Sequence, residues 1–381
     1  MVKSVSFLNK IILYSIPYAI PFLLATGSLI YVGESMPLEV VIRLQASDEP
    51  VLYRVGYGNR DQDYKLMSVD YRQPEVLMTG SSRVLQFRGQ FLNNEPEAFY
   101  NGAAPAWRLP EVSTMLFSMN HRPDVILLGI DYPWFNDAYE GDPIVEPPAN
   151  FWKRLFVVNR TFMQEAIAGE NFDLPRLFAR IEPGGSGGLA LGQRAIIDGH
   201  GFRNDGSEQY GDFLVAQHLW QPNMRGHHLG LFENGEDMYV EGDTVSATAM
   251  NQMRAILDWA QKEDILVIGM LPPYMPTLWK QMIDSERHTY IPQAQAELND
   301  LFAEYDFPLF DYSNGADVGA SDEDFFDGWH SSERIALQIY INIARQMPEL
   351  QPYSDLDALQ EIANTALDTF QVFPFVAPNQ P

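Results

Sequence analysis

Asp327 and His330 stand three residues apart in Phe326-Asp327-Gly328-Trp329-His330-Ser331-Ser332-Glu333, just ahead of a helical pattern. In a turn leading into a helix, this spacing lets the carboxylate accept a hydrogen bond from one ring nitrogen. The other nitrogen then faces outward in a fixed tautomer and can take a proton from a serine hydroxyl. A nearby helix N-terminus disfavours imidazolium, which is expected to keep His330 neutral as a base. The same residues also suit a plain capped loop, with Ser331 or Ser332 as the cap. A serine that could complete the relay lies far upstream. Met78-Thr79-Gly80-Ser81-Ser82-Arg83 reads as a strand, a glycine turn and a helix. That puts Ser82 at the carboxyl edge of a sheet, where open α/β sheets bind ligands. Two further strand ends share the pattern: Tyr100-Asn101-Gly102-Ala103-Ala104, where a bare backbone N–H at Gly102 can face a ligand, and Leu127-Leu128-Gly129-Ile130-Asp131.

The elements that must position these residues are legible as short, largely apolar runs at 76–79, 98–100, 124–128, 265–271 and 308–310, each followed by Gly, Pro, Asn or Asp. Such runs suit strands buried on both faces. Helical spacing at 107–120, 246–262 and 331–346 alternates with them, which argues a parallel sheet in an α/β fold. Residues 34–72 read as a stalk or arm carrying one short strand at Val40-Val41-Ile42. The stretch 132–243 breaks the rhythm with Pro147-Pro148, Gly184-Gly185 and Gly187-Gly188, and is expected to be an insertion over the sheet, helical at 151–168 and 212–220. Residues 355–371 read as an amphipathic helix within a C-terminal segment, 351–381.

In this order and on these elements, the four blocks resemble the SGNH (GDSL-type) hydrolase and acyltransferase superfamily. The resemblance covers roughly residues 73–350, the insertion excepted. It implies a three-layer α/β/α sandwich with a mainly parallel, flavodoxin-like sheet. It implies Ser82 as nucleophile, with Ser81 where the family has Asp, and His330 and Asp327 as base and orienting acid. Gly102, within Asn101-Gly102-Ala103, corresponds to an oxyanion donor, and Asn101 beside it is a candidate oxyanion or substrate contact. The third block departs from the family: Asp131 stands where an Asn side chain normally donates to the oxyanion. An ionised Asp has no donor and repels developing negative charge. Arg83 is the expected partner for Asp131, and Asn136 a candidate substitute donor. With its N-terminal segment, the chain is similar to the anchored family members that O-acetylate exopolysaccharides or assist teichoic-acid D-alanylation. That likeness implies an acylated glycan substrate, a multi-pass membrane acyltransferase as partner, and no cofactor. The rival expectation is a non-catalytic scaffold that binds glycan or such an acyltransferase.

The anchor itself is read from the sequence. Lys3 and Lys10 precede an uncharged run at 11–32, and the first 33 residues contain no acid. At about 1.5 Å per residue, this run would span a bilayer core as one transmembrane helix. The positive-inside rule puts everything after Gly33 outside the inner membrane, a single-pass extracytoplasmic or periplasmic arrangement. A cleaved signal ending near Ala25-Thr26-Gly27 is the competing reading. A net charge of −26 excludes general affinity for nucleic acid. The absence of Cys excludes disulfides, thiolate metal sites and a Cys nucleophile. His200, His227 and His228 show no ligand spacing and read as surface or lid residues, and Asp322-Glu323-Asp324 as a solvated loop, so no metal is expected. Tyr132, Trp134, Phe135, Trp152 and Trp220 could stack on sugar rings, although most such aromatics are core.

Overall fold

A computed structural model describes residues 2–57, 60–139, 151–168, 174–180, 188–211 and 217–373. The chain divides into two compact units: one made of residues 1–60, 145–201 and 377–381, the other of 61–144 and 202–376. The charge is shared very unequally. The first unit has 11 Lys and Arg against 10 Asp and Glu, whereas the second has 14 against 41.

The first unit begins with helix α1 (Val2–Tyr31), followed by α2 (Leu38–Gln45) and strand β1 (Val51–Tyr53). After residue 145 it adds α5 (Phe151–Ala168), α6 (Leu174–Ala179), β5 (Leu189–Leu191) and α7 (Gln193–Asp198). Strands β1 and β5 pair in parallel, Leu52 opposite Ala190. Residues 40–42, expected as a strand, lie inside α2. The reason is the spacing of its buried residues, Leu38, Val41, Ile42 and Gln45, which is one helical stripe.

Helix α1 covers the expected span as far as Tyr31, but it is bent. It bends by 53° between Pro17 and Ala19. Pro17 and Pro21 each remove an N–H and crowd the carbonyl four residues back, which breaks the ladder there. Among the described residues, no single helix is long and apolar enough to cross a membrane, although this bent pair is by length and composition. Residues 9–17 and 19–24 are exposed. Leu29 and Val32 instead pack into a core with Leu52, Val158 and Phe162, so the end of the apolar run is buried by its own unit. Trp152 and Phe156 of α5 are exposed.

The second unit is built on five parallel strands: β2 (Val76–Thr79), β3 (Phe99–Asn101), β4 (Val125–Gly129), β8 (Leu266–Leu271) and β9 (Leu309–Asp311). Their order is β3-β2-β4-β8-β9. Two short strands, β6 (Gly201–Phe202) and β7 (Glu208–Gln209), lie between β5 and β8 in the chain. The helices are α3 (Asp61–Arg72), α4 (Leu109–Ser118), α8 (Gln217–Asn234), α9 (Ala247–Lys262), α10 (Pro276–Asp284), α11 (Tyr290–Glu304), α12 (Glu333–Gln346) and α13 (Leu356–Thr365). The chain is thus mixed α/β, with helices flanking a parallel sheet. Val76, Leu77, Met78, Ile126 and Val267 are fully buried, as an all-apolar central strand requires.

Helix α13 is shorter than the pattern 355–371 suggested: it ends at Thr365, and Leu367 stands in solvent. The expected helix at 212–220 falls partly outside the described residues, and α8 begins at Gln217. Pro147-Pro148, Gly184-Gly185 and Gly187 also lie outside them. Residues 145–201 of the expected insertion group with the N-terminal unit, and 202–243 with the sheet.

Candidate active site

Strand order reverses direction at β2. From β2 the chain steps outward to β3, then returns past β2 to β4. The loops leaving β2 and β4 therefore diverge above the carboxyl edge of adjacent strands and open a crevice, the usual ligand position in such sheets. Ser82 lies on the first of these loops and Asp131 on the second.

The turn after β2 is sterically enforced. Gly80 has φ +147°, and a Cβ there would lie 2.8 Å from the Gly129 carbonyl oxygen of the neighbouring strand. The chain then enters a 3-10 turn, Ser82–Val84, with the Ser81 hydroxyl accepting from the Arg83 N–H. Ser82 is partly exposed at the head of this turn, where its own N–H has no intrahelical acceptor.

His330 Nε2 lies 2.7 Å from Ser82 Oγ, although 248 positions separate them, and His330 Nδ1 lies 2.8 Å from Asp327 Oδ2. The other carboxylate oxygen, Asp327 Oδ1, accepts from the backbone N–H of Trp329 and of His330, each at 2.7 Å. The three-residue spacing thus curls the chain around the carboxylate. Ser332 caps α12 one step later, its Oγ accepting from Ile335 N–H, so capping and relay coexist. Asp327 is buried, whereas the His330 side chain keeps 22% of its surface exposed. The acid is shielded while the base is reachable.

Electrostatics follow from this burial. Desolvation alone would raise the Asp327 carboxyl, but His330 and the His228 ring N–H outweigh it and hold it well below the usual carboxylate range. Desolvation alone would lower His330, but the Asp327 carboxylate beside it wins and raises it above an ordinary imidazole. The expected neutralising influence of a helix N-terminus does not prevail. α12 begins only at Glu333, past its Ser332 cap, whereas Asp327 is in direct contact.

Arg83 and Asp131 form a buried ion pair, Nη1 to Oδ1 at 3.0 Å, with side-chain exposures of 1% and 2%. Arg83 Nη2 donates to the Pro272 carbonyl at 2.7 Å. The guanidinium lies 4.0 Å from the Tyr274 ring and 4.4 Å from the Trp329 ring. It therefore links the Ser82 turn, the end of β4, the end of β8 and the Asp327–His330 loop.

Three sequence assignments need correction. The Gly102 N–H donates to the Met78 carbonyl at 2.7 Å, continuing the β2–β3 ladder, so it is not free for an oxyanion. Asn136 is buried and its amide donates to the Val240 carbonyl at 2.8 Å, which fixes a loop. Asn101 turns back toward the segment that follows Ser82, donating to the carbonyls of Val84 and Phe87 at 2.8 and 3.0 Å. It braces the turn that carries Ser82.

Sequence reasoning missed two contributors. Lys65 is fully buried, and its ammonium donates to the carbonyls of Asn101 and Gly206 while lying 4.0 Å from the Phe202 ring. His228, expected at the surface, is 7% exposed, with Nε2 3.4 Å from Asp327 Oδ2 and Nδ1 2.8 Å from the Tyr239 hydroxyl. Only the fold reveals either, because both partners are distant in sequence. Of the aromatics, Tyr132 and Phe135 are core, while Trp152 is exposed. Tyr210 instead stands near the base, stacked on Phe326 and edge-on to His330 at 6.4 Å.

Chemically, the site can move a proton from Ser82 Oγ to His330 Nε2 while Asp327 stabilises the resulting imidazolium. Among the described residues, no group of three or more His, Asp or Glu could hold a metal ion. A comparison with models of known protein families finds no match, and no curated protein matches the chain.

Proposed function

We propose that the protein is a serine acyl-esterase or O-acyltransferase of the SGNH type, with a flavodoxin-like three-layer sandwich as its catalytic domain. The observation that carries this reading is the continuous relay Ser82 Oγ, His330, Asp327, with contacts of 2.7 and 2.8 Å and a partly exposed nucleophile end. In the proposed reaction His330 takes the Ser82 proton as the oxygen attacks an acyl carbonyl. The proton then passes from His330 Nε2 to the departing alkoxide, leaving an acyl-Ser82 ester. An acceptor hydroxyl, or water, then gives its proton to His330 while its oxygen bonds the acyl carbon; the acyl–Oγ bond breaks, His330 returns the proton to Ser82 Oγ, and the acyl group leaves on the acceptor. The Ser82 N–H supplies one oxyanion donor.

The proposal extends to location and substrate. The acid-free segment 1–33 would anchor the chain in the inner membrane through residues 11–32 and leave the site on the extracytoplasmic side. An acylated or acceptor glycan would be the substrate, and a multi-pass membrane acyltransferase the donor-side partner. A second reading, a non-catalytic scaffold on the same fold, is favoured by one observation: the Gly102 N–H and the Asn136 amide are both committed elsewhere. Loss of one oxyanion donor costs about 10²–10³ in rate, so the enzyme reading itself predicts slow turnover.

A fluorophosphonate probe distinguishes the two. Covalent labelling that disappears in Ser82→Ala, with Ser81→Ala still labelled, supports the enzyme. No labelling of the folded wild-type chain leaves the scaffold.

A further inference from the structure

We infer that His228 is a positioning residue for the catalytic relay, holding the Asp327 carboxylate in register from the opposite side of His330. The inference rests on the serine-enzyme reading above and adds a member to its machinery.

Asp327 Oδ1 is pinned by two backbone N–H groups. Its Oδ2 faces two imidazoles, His330 Nδ1 at 2.8 Å and His228 Nε2 at 3.4 Å. A carboxylate only accepts, so the His228 nitrogen facing it must carry a hydrogen. Nδ1 of a neutral ring is then the acceptor, and the Tyr239 hydroxyl, 2.8 Å away, supplies the donor. Tyr239 is fully buried and keeps its proton, because burial first, and then the Asp327 charge, oppose the phenolate. Three hydrogen bonds run in one direction, Tyr239 to His228, His330 to Asp327 and Ser82 to His330, and the His228 Nε2–H faces Asp327 Oδ2 across a longer electrostatic contact.

The site makes room for this ring. A Cβ on Gly328 would lie 2.9 Å from both His228 Cβ and Leu278 Cδ2, so glycine between Asp327 and Trp329 makes room for His228 and for the packing of α10. Trp329 in turn meets the Tyr239 ring edge-on at 6.0 Å. Two effects of the second imidazole oppose each other. A competing N–H draws charge from Oδ2 and weakens His330 as a base, while a fourth positive group around the carboxylate stops it from pivoting. The longer contact belongs to His228, which leaves His330 the stronger partner of Oδ2, and the fixed placement of the His228 ring between Tyr239 and Gly328 makes orientation its larger effect. His228 also belongs to α8, which places an element outside the four motif blocks in contact with the relay.

The test uses the full-length chain in detergent, p-nitrophenyl acetate as substrate, and the low-field proton resonance of the His330–Asp327 hydrogen bond. His228→Ala should lower kcat about tenfold with KM unchanged, the signature of lost transition-state orientation, and should shift or broaden the low-field proton. His228→Gln, which keeps a donor near Nε2, should recover most of the rate. Gly328→Ala should mimic His228→Ala, and the double variant should be little worse than either. Unchanged kcat and an unchanged low-field proton in His228→Ala would overturn the positioning role. So would a KM defect that Gln fails to rescue, since that is a general packing loss. If the wild-type chain turns over no substrate and takes no fluorophosphonate, the enzyme reading falls, and the low-field proton alone then decides the positioning.

Discussion

The Arg83–Asp131 pair offers a sharp test of how the site is held together. Among the described residues Asp131 pairs with one cation, Arg83, and its side chain is 2% exposed. Arg83 has more support: the Pro272 carbonyl and the faces of Tyr274 and Trp329. Removing one member of a buried pair costs about 3–5 kcal/mol, because the survivor is left charged and unsolvated. The two halves should therefore differ. Arg83→Ala strands a carboxylate and empties the space between two rings, and should reach the upper end, about 5 kcal/mol. In Asp131→Asn the amide oxygen can still accept from Nη1, and the cation keeps its carbonyl and both rings. That loss should lie near the lower end, about 3 kcal/mol. Replacing both, as Arg83→Met with Asp131→Asn, should be milder than Arg83→Ala alone. Urea unfolding followed by tryptophan fluorescence reads this directly. With a slope of about 3 kcal/mol per molar, Asp131→Asn should move the midpoint by about 1 M. Asp131→Asn should also retain turnover, since its side chain is committed to Arg83, whereas Arg83→Ala should lose it. Equal destabilisation by the two single variants would refute the asymmetry. A folded but inactive Asp131→Asn would make Asp131 a direct participant.

Three further outcomes are expected. His330 must be neutral to act as a base, and Asp327 raises it above its ordinary 6.5, so activity should fall as pH drops through a midpoint above that value. Asp327→Asn should move this limb of the pH–rate profile to lower pH. Glu34 is buried, and desolvation outweighs the backbone N–H groups of Gln193, Gly56 and Tyr57 to push its carboxyl up from 4.5 to about 7. Its protonated form is favoured by folding, so this contribution is complete below pH 4.5 and is lost as pH rises through 7, by about 3 kcal/mol. Melting of the first unit, followed by hydrogen exchange, should weaken from pH 5 to 8, and Glu34→Gln should flatten that trend. Gly80→Ala forces a Cβ against the Gly129 carbonyl at a φ reserved for glycine, and should cost about 1–3 kcal/mol in strain. Fluorophosphonate labelling should drop with it.

What the sequence made legible was whatever a local pattern can encode. Val76–Thr79 reads as a buried strand because all four residues are enclosed, and the chain from Asp327 to His330 encodes its own turn and carboxylate contact. The position of Ser82 follows from strand, glycine and helix in succession. The misreadings share a different cause. Three apolar residues at 40–42 fit a strand or a helix equally, and only the burial of Leu38 and Gln45 in the same stripe separates them. Gly102 offers a bare N–H in sequence, but whether it faces a ligand or a ladder carbonyl depends on where β2 lies. His228 and Lys65 meet partners 99 and 36 or more residues away. No spacing rule reaches them.

The unequal division of charge has a kinetic consequence for whatever approaches the site. The unit that holds Ser82 has 27 more acids than bases, and the other unit one more base than acids. At physiological ionic strength such a field extends over about 8 Å before it is screened, enough to meet an incoming polymer ahead of contact. A uronic-acid chain must work against it, so its capture would be slow and would quicken with added salt. A neutral polymer would be indifferent, and one bearing free amines would be drawn in at low salt and released at high. Salt dependence of the association rate therefore sorts acceptor classes by sign, before any acceptor is identified chemically.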